Sequence, residues 1–255
     1  MSKSRIDREA EFHDKAFTEN TRSAAGKFYA ITETSKGLYH SLIGQDCTGK
    51  QILEYGCGTG SYAFKLAQYG ANVAGIDISE AGIDLASKQA ETNGVGERTS
   101  FQVMDAEKLG FSDDYFDVVC GSGILHHLHL EQAMKELARV LKPDGRAVFF
   151  EPLGHNPLIN LYRRLTPNMR SEDEHPLSYD DLHSFSQFFA QVELRFFHLC
   201  SLMAVPFRKM PGFRALQATL AWLDRLLFKI PFLKKQAWIV VIKVGCPRVL
   251  DIEKK

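Results

Sequence analysis

The run Glu54-Tyr55-Gly56-Cys57-Gly58-Thr59-Gly60 has the residue types that hold a small charged ligand. Gly56, Gly58 and Gly60 permit a tight turn and let a ligand approach the main chain closely. Amides exposed where such a turn opens a helix favour a negatively charged group. A glycine turn alone also serves a purely structural bend. A second acid, Asp77, follows Gly56 by 21 residues. A carboxylate at the end of a second strand accepts hydrogen bonds from both hydroxyls of a ribose. Glu54 discriminates between nucleotides, because a carboxylate there repels a pyrophosphate and attracts an ammonium group. The dinucleotide fingerprint G-x-G-x-x-G/A, begun at Gly56, needs Gly or Ala at position 61. The chain has Ser61, and its third glycine comes one place early.

These residues need a frame. Short apolar runs suited to strands occupy 51–55, 72–76, 99–103, 116–120 and 146–150. Segments suited to helices lie between them at 61–68, 80–92 and 130–141, the second opened by Ser79 as N-cap. Strands alternating with helices predict a parallel sheet covered on both faces. Lys142-Pro143-Asp144-Gly145 predicts a turn before the fifth strand. Residues 156–165 read as a helix. Ser178 and Asp181 have capping-box spacing for another through 189. Two more strands are expected at 192–197 and 238–244. Between them Phe213, Leu216, Leu220, Leu223, Leu227 and Ile230 recur at helical steps and predict one helix face, bracketed by Pro211-Gly212 and Pro231. The first 45 residues are polar and helix-like, with Phe12, Phe17, Phe28, Tyr29 and Leu38 as apolar anchors.

The chain has 255 residues, 31 basic against 31 acidic, and 45% hydrophobic content. That balance predicts an ordered globular protein and gives no basic excess for a nucleic-acid partner. Five scattered cysteines without a C-x-x-C pair predict free thiols, a reducing compartment and no structural zinc. No apolar signal core or membrane-length run is present, so a cytoplasmic location is expected.

Taken together, residues 47–152 resemble the class I S-adenosylmethionine-dependent methyltransferases, in particular their small-molecule group. EYGCGTG (54–60), GIDIS (75–79), MDAEKL (104–109), FDVVCGSGILHHL (116–128) and ARVLKPDGRAVFFEP (138–152) resemble that family's motifs in its order. The resemblance implies an α/β, three-layer Rossmann-like methyltransferase fold, with a seven-stranded, mostly parallel sheet and an antiparallel last strand. It implies S-adenosyl-L-methionine as cofactor. The amides of Gly56, Cys57, Gly58 and Gly60 would then face its carboxylate and Glu54 its ammonium. Asp77, with Ile78 beside it, would face the ribose. Asp105 and Ala106 would meet the adenine, and Gly121 and Ser122 the methionine part. The domain reading is a helical cap over 1–45 and a methyltransferase domain over 46–255, with helical insertions at 153–190 and 203–235.

Methyl transfer needs a positioned acceptor and a base only where a proton must leave early. Acceptor-side candidates are therefore the ionisable residues after the fourth and fifth strands: His127 (with His126 beside it), Glu151, His155 and His175. Arg163, Arg164, Arg170, Asp173 and Glu174 crowd the same segment, without a recognised metal-ligand spacing. These groups favour a hydroxyl acceptor, on a natural-product, sugar or lipid-like metabolite. A non-catalytic methyltransferase-like binding subunit and an NAD(P)-dependent oxidoreductase are the alternatives. Residues 205–236 carry seven cations against one acid, together with five aromatic residues. A basic amphipathic helix of this kind suits peripheral membrane contact, and a packing or homodimer helix is the competing reading.

Overall fold

The computed structural model describes residues 4–19, 28, 30–60, 62–166, 171 and 173–248. The anchor Tyr29 and the candidates Ser61 and Arg170 lie outside the described residues.

Seven strands form one sheet: β1 (Gln51–Tyr55), β2 (Asn72–Asp77), β3 (Thr99–Val103), β4 (Phe116–Ser122), β5 (Leu141–Pro152), β6 (Phe189–Phe197) and β7 (Ile239–Pro247). Their order is β3-β2-β1-β4-β5-β7-β6. β1 to β5 are parallel, and β7 runs antiparallel between β5 and β6. This is the doubly wound arrangement expected, with its antiparallel last strand.

Residue alternation along the central strands divides the core. Leu53, Val119 and Phe149 face one side, where α5 (Leu130–Val140) and α7 (Tyr179–Phe188) pack. Ile52, Val118 and Val148 face the other, where α2 (Glu33–Gly44), α3 (Ala63–Gln68) and α4 (Glu80–Thr92) pack. Successive side chains of a strand point to opposite faces, so a continuous apolar run such as Ile52-Leu53 needs cover on both. The expected caps form: Ser79 Oγ accepts from Gly82 N at 3.0 Å, and Ser178 with Asp181 closes a capping box. Helices α1 (Arg5–Glu19), α6 (Pro157–Leu165), α8 (Phe213–Leu227) and α9 (Pro231–Lys234) complete the elements used below.

Two local expectations are corrected. The segment 142–145 lies inside β5. Its partner register jumps from Phe116↔Leu141 to Val118↔Arg146, so the extra residues bulge out while pairing continues on either side. The second correction concerns α8. Of the expected face, Phe213, Leu220, Leu223 and Leu227 are half-buried, with Phe213 and Leu220 against the core, but Leu216 and Ile230 are exposed, and the residues this helix buries fully are Gln217 and Asp224. The backbone amides of 199, 200 and 201 reach Asp224, and Ile31 O accepts from Gln217, so the helix docks through hydrogen bonds as well as apolar contact.

Candidate functional site

The order in which strands are added to the sheet reverses between β1 and β4, the place where open α/β sheets bind ligands beyond their strand ends. The register Tyr55↔Ile76 and Tyr55↔Gly121 brings the ends of β1, β2 and β4 level. The turns after them enclose a cavity of about 250 Å³. Among the expected cofactor residues, Gly56, Cys57, Gly58, Asp77, Ile78, Asp105, Ala106 and Ser122 line it.

Gly58 adopts φ 51°, and a Cβ there would stand 2.9 Å from the Phe17 ring, so glycine is required for both backbone and space. Its amide donates to Asp77 Oδ2 at 2.8 Å, and Ser79 N donates to Asp77 Oδ1 at 2.9 Å. Asp77 therefore ties the glycine turn to the end of β2. A carboxylate oxygen has two acceptor positions, so both oxygens keep capacity for a ligand hydroxyl. Asp105 Oδ1 accepts from Glu107 N at 2.8 Å, which curls the chain after β3 around the cavity. Tyr55 holds this turn from the core, its hydroxyl donating to Ala106 O at 2.7 Å.

Glu54, Gly60 and Gly121 are not part of the cavity wall. Glu54 is buried, and its two oxygens accept from Tyr62 N at 3.1 Å and Ala63 N at 2.8 Å. It caps α3 from the neighbouring strand and so braces the glycine turn. The amides of Cys57 and Gly60 donate to Ile76 O and Cys57 O, which narrows the stretch of turn that can face an anion.

Of the acceptor-side candidates, His127 alone lines the cavity. Glu151, fully buried at the end of β5, accepts from Ile124 N at 2.9 Å and Leu125 N at 3.0 Å, and its other oxygen meets His126 Nδ1 at 2.8 Å. It fixes the 3₁₀ turn Leu125–His127 that presents His127. His175 joins the same turn through its amide, which donates to His126 O at 2.9 Å. His155 stands elsewhere and accepts from Tyr179 N at 3.1 Å, at the start of α7.

Sequence reasoning missed the far wall. Helix α1 lies across the cavity with Arg5, Ile6, Glu9, His13 and Phe17 in its lining. Glu9 Oε2 is 3.1 Å from His127 Nδ1 and 3.4 Å from His13 Nε2. Burial pushes the Glu9 carboxyl up, but hydrogen bonding from His127, His13 and Ser171 outweighs it and holds the group well below the usual carboxylate range. Arg5 pairs with Glu107 and donates to His127 O, while Arg8 pairs with Asp173 at 2.7 Å. The only sequence signal was the four-residue spacing of Arg5, Glu9, His13 and Phe17, which puts them on one helix face.

Among the described residues the wall thus carries three carboxylates, Glu9, Asp77 and Asp105, against one guanidinium that is already paired. Such a wall suits a cationic ligand and disfavours a pyrophosphate. The ligand atoms of Glu9, His13 and His127 lie within 4.8 Å of one another, as do those of His126, His127 and Glu174. These donor types accept a divalent ion, and the same separations arise from carboxylate–imidazole pairing.

Comparison with known proteins gives a consistent picture. The family described as "Methyltransferase domain" matches residues 53–149. A ubiquinone biosynthesis O-methyltransferase of Coxiella burnetii is 33% identical over 167 residues, covering 64% of this chain and 69% of the relative. A ubiquinone/menaquinone biosynthesis C-methyltransferase of Zymomonas mobilis is 31% identical over 152 residues, covering 56% of this chain and 62% of the relative. Other curated relatives are matched over only 36% and 49% of their own lengths. Among solved structures, a phosphoethanolamine N-methyltransferase of Haemonchus contortus superposes with a TM-score of 0.64 at 15% identity, covering 92% of this chain and 59% of that one. At that identity the likeness concerns the fold.

Proposed function

The chain belongs to the class I S-adenosylmethionine-dependent methyltransferases, and on that premise we propose that it moves a methyl group to a hydroxyl oxygen of a small-molecule acceptor. Its cofactor is S-adenosylmethionine, and the residues present fit it. Asp77 would hold the ribose diol, Asp105 and Ala106 the adenine, and the turn 56–59 with Ser122 the amino-acid end. When bound, the cofactor supplies an electrophilic methyl group on a sulfonium. The observation that carries the reading is the wall of three carboxylates around a strand-end cavity, which favours a sulfonium nucleoside over a dinucleotide.

The preference for oxygen rests on Glu9 and His127. The Glu9 carboxylate stands 3.1 Å from His127 Nδ1 and orients the ring within the cavity wall. The His127 imidazole would accept the proton that the acceptor oxygen loses as the O–C bond forms and the methyl group's S–C bond breaks. Glu151 acts through His126 and the turn 124–127 to position His127. Helix α1 excludes water from the site. The relative from Coxiella burnetii, named for O-methylation in ubiquinone biosynthesis, supports oxygen as the accepting atom.

The test is a labelled-methyl assay of the purified chain on paired catechol and carbon acceptors, with products identified by NMR. An O-methyl product is expected, and a carbon-bound methyl overturns the oxygen assignment. Asp77→Ala is expected to weaken S-adenosylhomocysteine binding by ~1–3 kcal/mol, the scale for bonds to a charged partner. Unchanged affinity in calorimetry removes Asp77 from the ribose.

A further inference from the structure

The cavity between α2 and α3, the buried Ser35–His198–Ser201–Asp224 chain and the outer face of α8 stand outside the site described, and the last carries an inference. In a soluble protein the outward face of a helix is ordinarily polar. On α8 the inward side combines the half-buried Phe213, Leu220, Leu223 and Leu227 with two polar residues, and the outward side carries apolar residues among its cations. Gln217 and Asp224 face inward, while Ala215, Ala218, Trp222 and Leu226, spaced three and four apart, face outward. Trp222 is 58% exposed and Phe232, on the following α9, 69%. Met203, Phe207, Met210 and Ile230 extend the exposed apolar set on either side. Of the fifteen large hydrophobic residues exposed among the described residues, eight lie between positions 203 and 232. Helix α6 adds Leu158, Leu161 and Leu165, and its N-cap Asn156 is joined to the end of this segment by a 2.7 Å bond to Gln236 O.

The charge on this surface is of one sign. Arg208, Lys209, Arg214, Arg225, Lys229, Lys234 and Lys235 stand in the segment, and among the described residues none of the seven is ion-paired. Its single acid, Asp224, is buried under the amides of 199–201 and the Ser201 hydroxyl and contributes nothing outward. A surface that interleaves exposed apolar residues with cations that have no ion-pair partner among the described residues complements an anionic bilayer: the aromatic side chains enter the headgroup boundary and the long cations stay at its phosphates. A second copy of the chain fits poorly, because a two-fold interface would set these seven cations against themselves. No helix among the described residues is long and apolar enough to cross a membrane, which leaves lying on the surface as the mode of contact.

We propose that the face built by residues 203–235, with α6 beside it, docks the protein on an anionic membrane surface. The proposal stands on the surface itself and holds whichever atom accepts the methyl group.

Vesicle flotation of the full chain tests it, with phosphatidylcholine alone against equal parts phosphatidylcholine and phosphatidylglycerol. The anionic vesicles are expected to capture at least about tenfold more protein, falling as salt is raised past the Debye screening range. Trp222→Ser with Phe232→Ser is expected to reduce capture at least about tenfold at low salt while S-adenosylhomocysteine affinity and circular dichroism stay at wild-type values. Arg214→Glu with Arg225→Glu is expected to abolish the preference for anionic vesicles. Equal capture by both vesicle types, binding insensitive to salt, or no capture together with a dimer in sedimentation overturns the proposal.

Discussion

Helix α5 packs Ala133, Met134, Leu137, Ala138 and Val140 against the sheet, whereas helix α8 turns Gln217 and Asp224 inward and leaves Trp222 and Leu226 in solvent. Both sequences repeat apolar residues at steps of three and four. What differs is what stands opposite. α5 meets a sheet face of Val119, Phe149 and Val240, which hydrogen-bonds only along its own plane and offers other elements apolar side chains. α8 meets the 3₁₀ segment Cys200–Phe207, whose opening amides need an acceptor. An unsatisfied buried amide costs on the order of 1–3 kcal/mol, comparable to burying a whole apolar side chain. Three amides converging on one carboxylate therefore join the apolar contacts of Phe213 and Leu220 in fixing which face docks.

The comparison can be broken at several points. The buried network behind α8 has the largest expected effect. His198 lies between Ser35 and Ser201, and Ser201 reaches Asp224. Burial pulls the His198 pKa from 6.5 down to about 3. The unfolded chain then binds more protons than the folded one between those values. Stability is full above pH 6.5 and falls as pH drops toward 3, with a slope approaching ~1.4 kcal/mol per pH unit from this residue. Denaturant melts of wild type and His198→Gln across that window check it; the variant is expected to lack this component of the slope.

Leu137→Ala, in the apolar interface of α5, is expected to cost ~2–5 kcal/mol by urea unfolding. The same truncation on the outer face of α8, Trp222→Ala, is expected to stay within ~0.5 kcal/mol. A large loss at Trp222 would mean that this face is covered in the monomer. Between the two, Asp224→Ala is expected to cost ~1–3 kcal/mol by orphaning the amides of 199–201, with the loss read as faster hydrogen exchange confined to 199–228.

Much of the molecule was legible because its signals are local. Strand runs, the Ser79 cap and the Ser178–Asp181 box depend on neighbours within a few residues, and the structure has all of them. The glycine turn and Asp77 were readable because a tight turn and a strand-end acid leave a fixed spacing in the chain. Arg5, Glu9, His13 and Phe17 escaped notice because they meet the cavity from far away in sequence; Arg5 contacts a carbonyl 122 residues on. The opposite held at 142–145, where turn-forming residues bulge within β5 because β4 pairs with Leu141 before them and Arg146 after them.

Residue types and short-range spacing by themselves determined the alternation of strands and helices, the turn after β1 and the acids after β2 and β3. Each follows from steric and hydrogen-bonding preferences of a few consecutive residues. Only the tertiary structure decided that Glu54 caps a helix, that α1 closes the cavity over His127, and that α8 buries Gln217 and Asp224 while leaving Trp222 and Leu226 in solvent. Those outcomes depend on which unsatisfied donor or exposed surface lies across the gap, and no run of neighbouring residues carries that information.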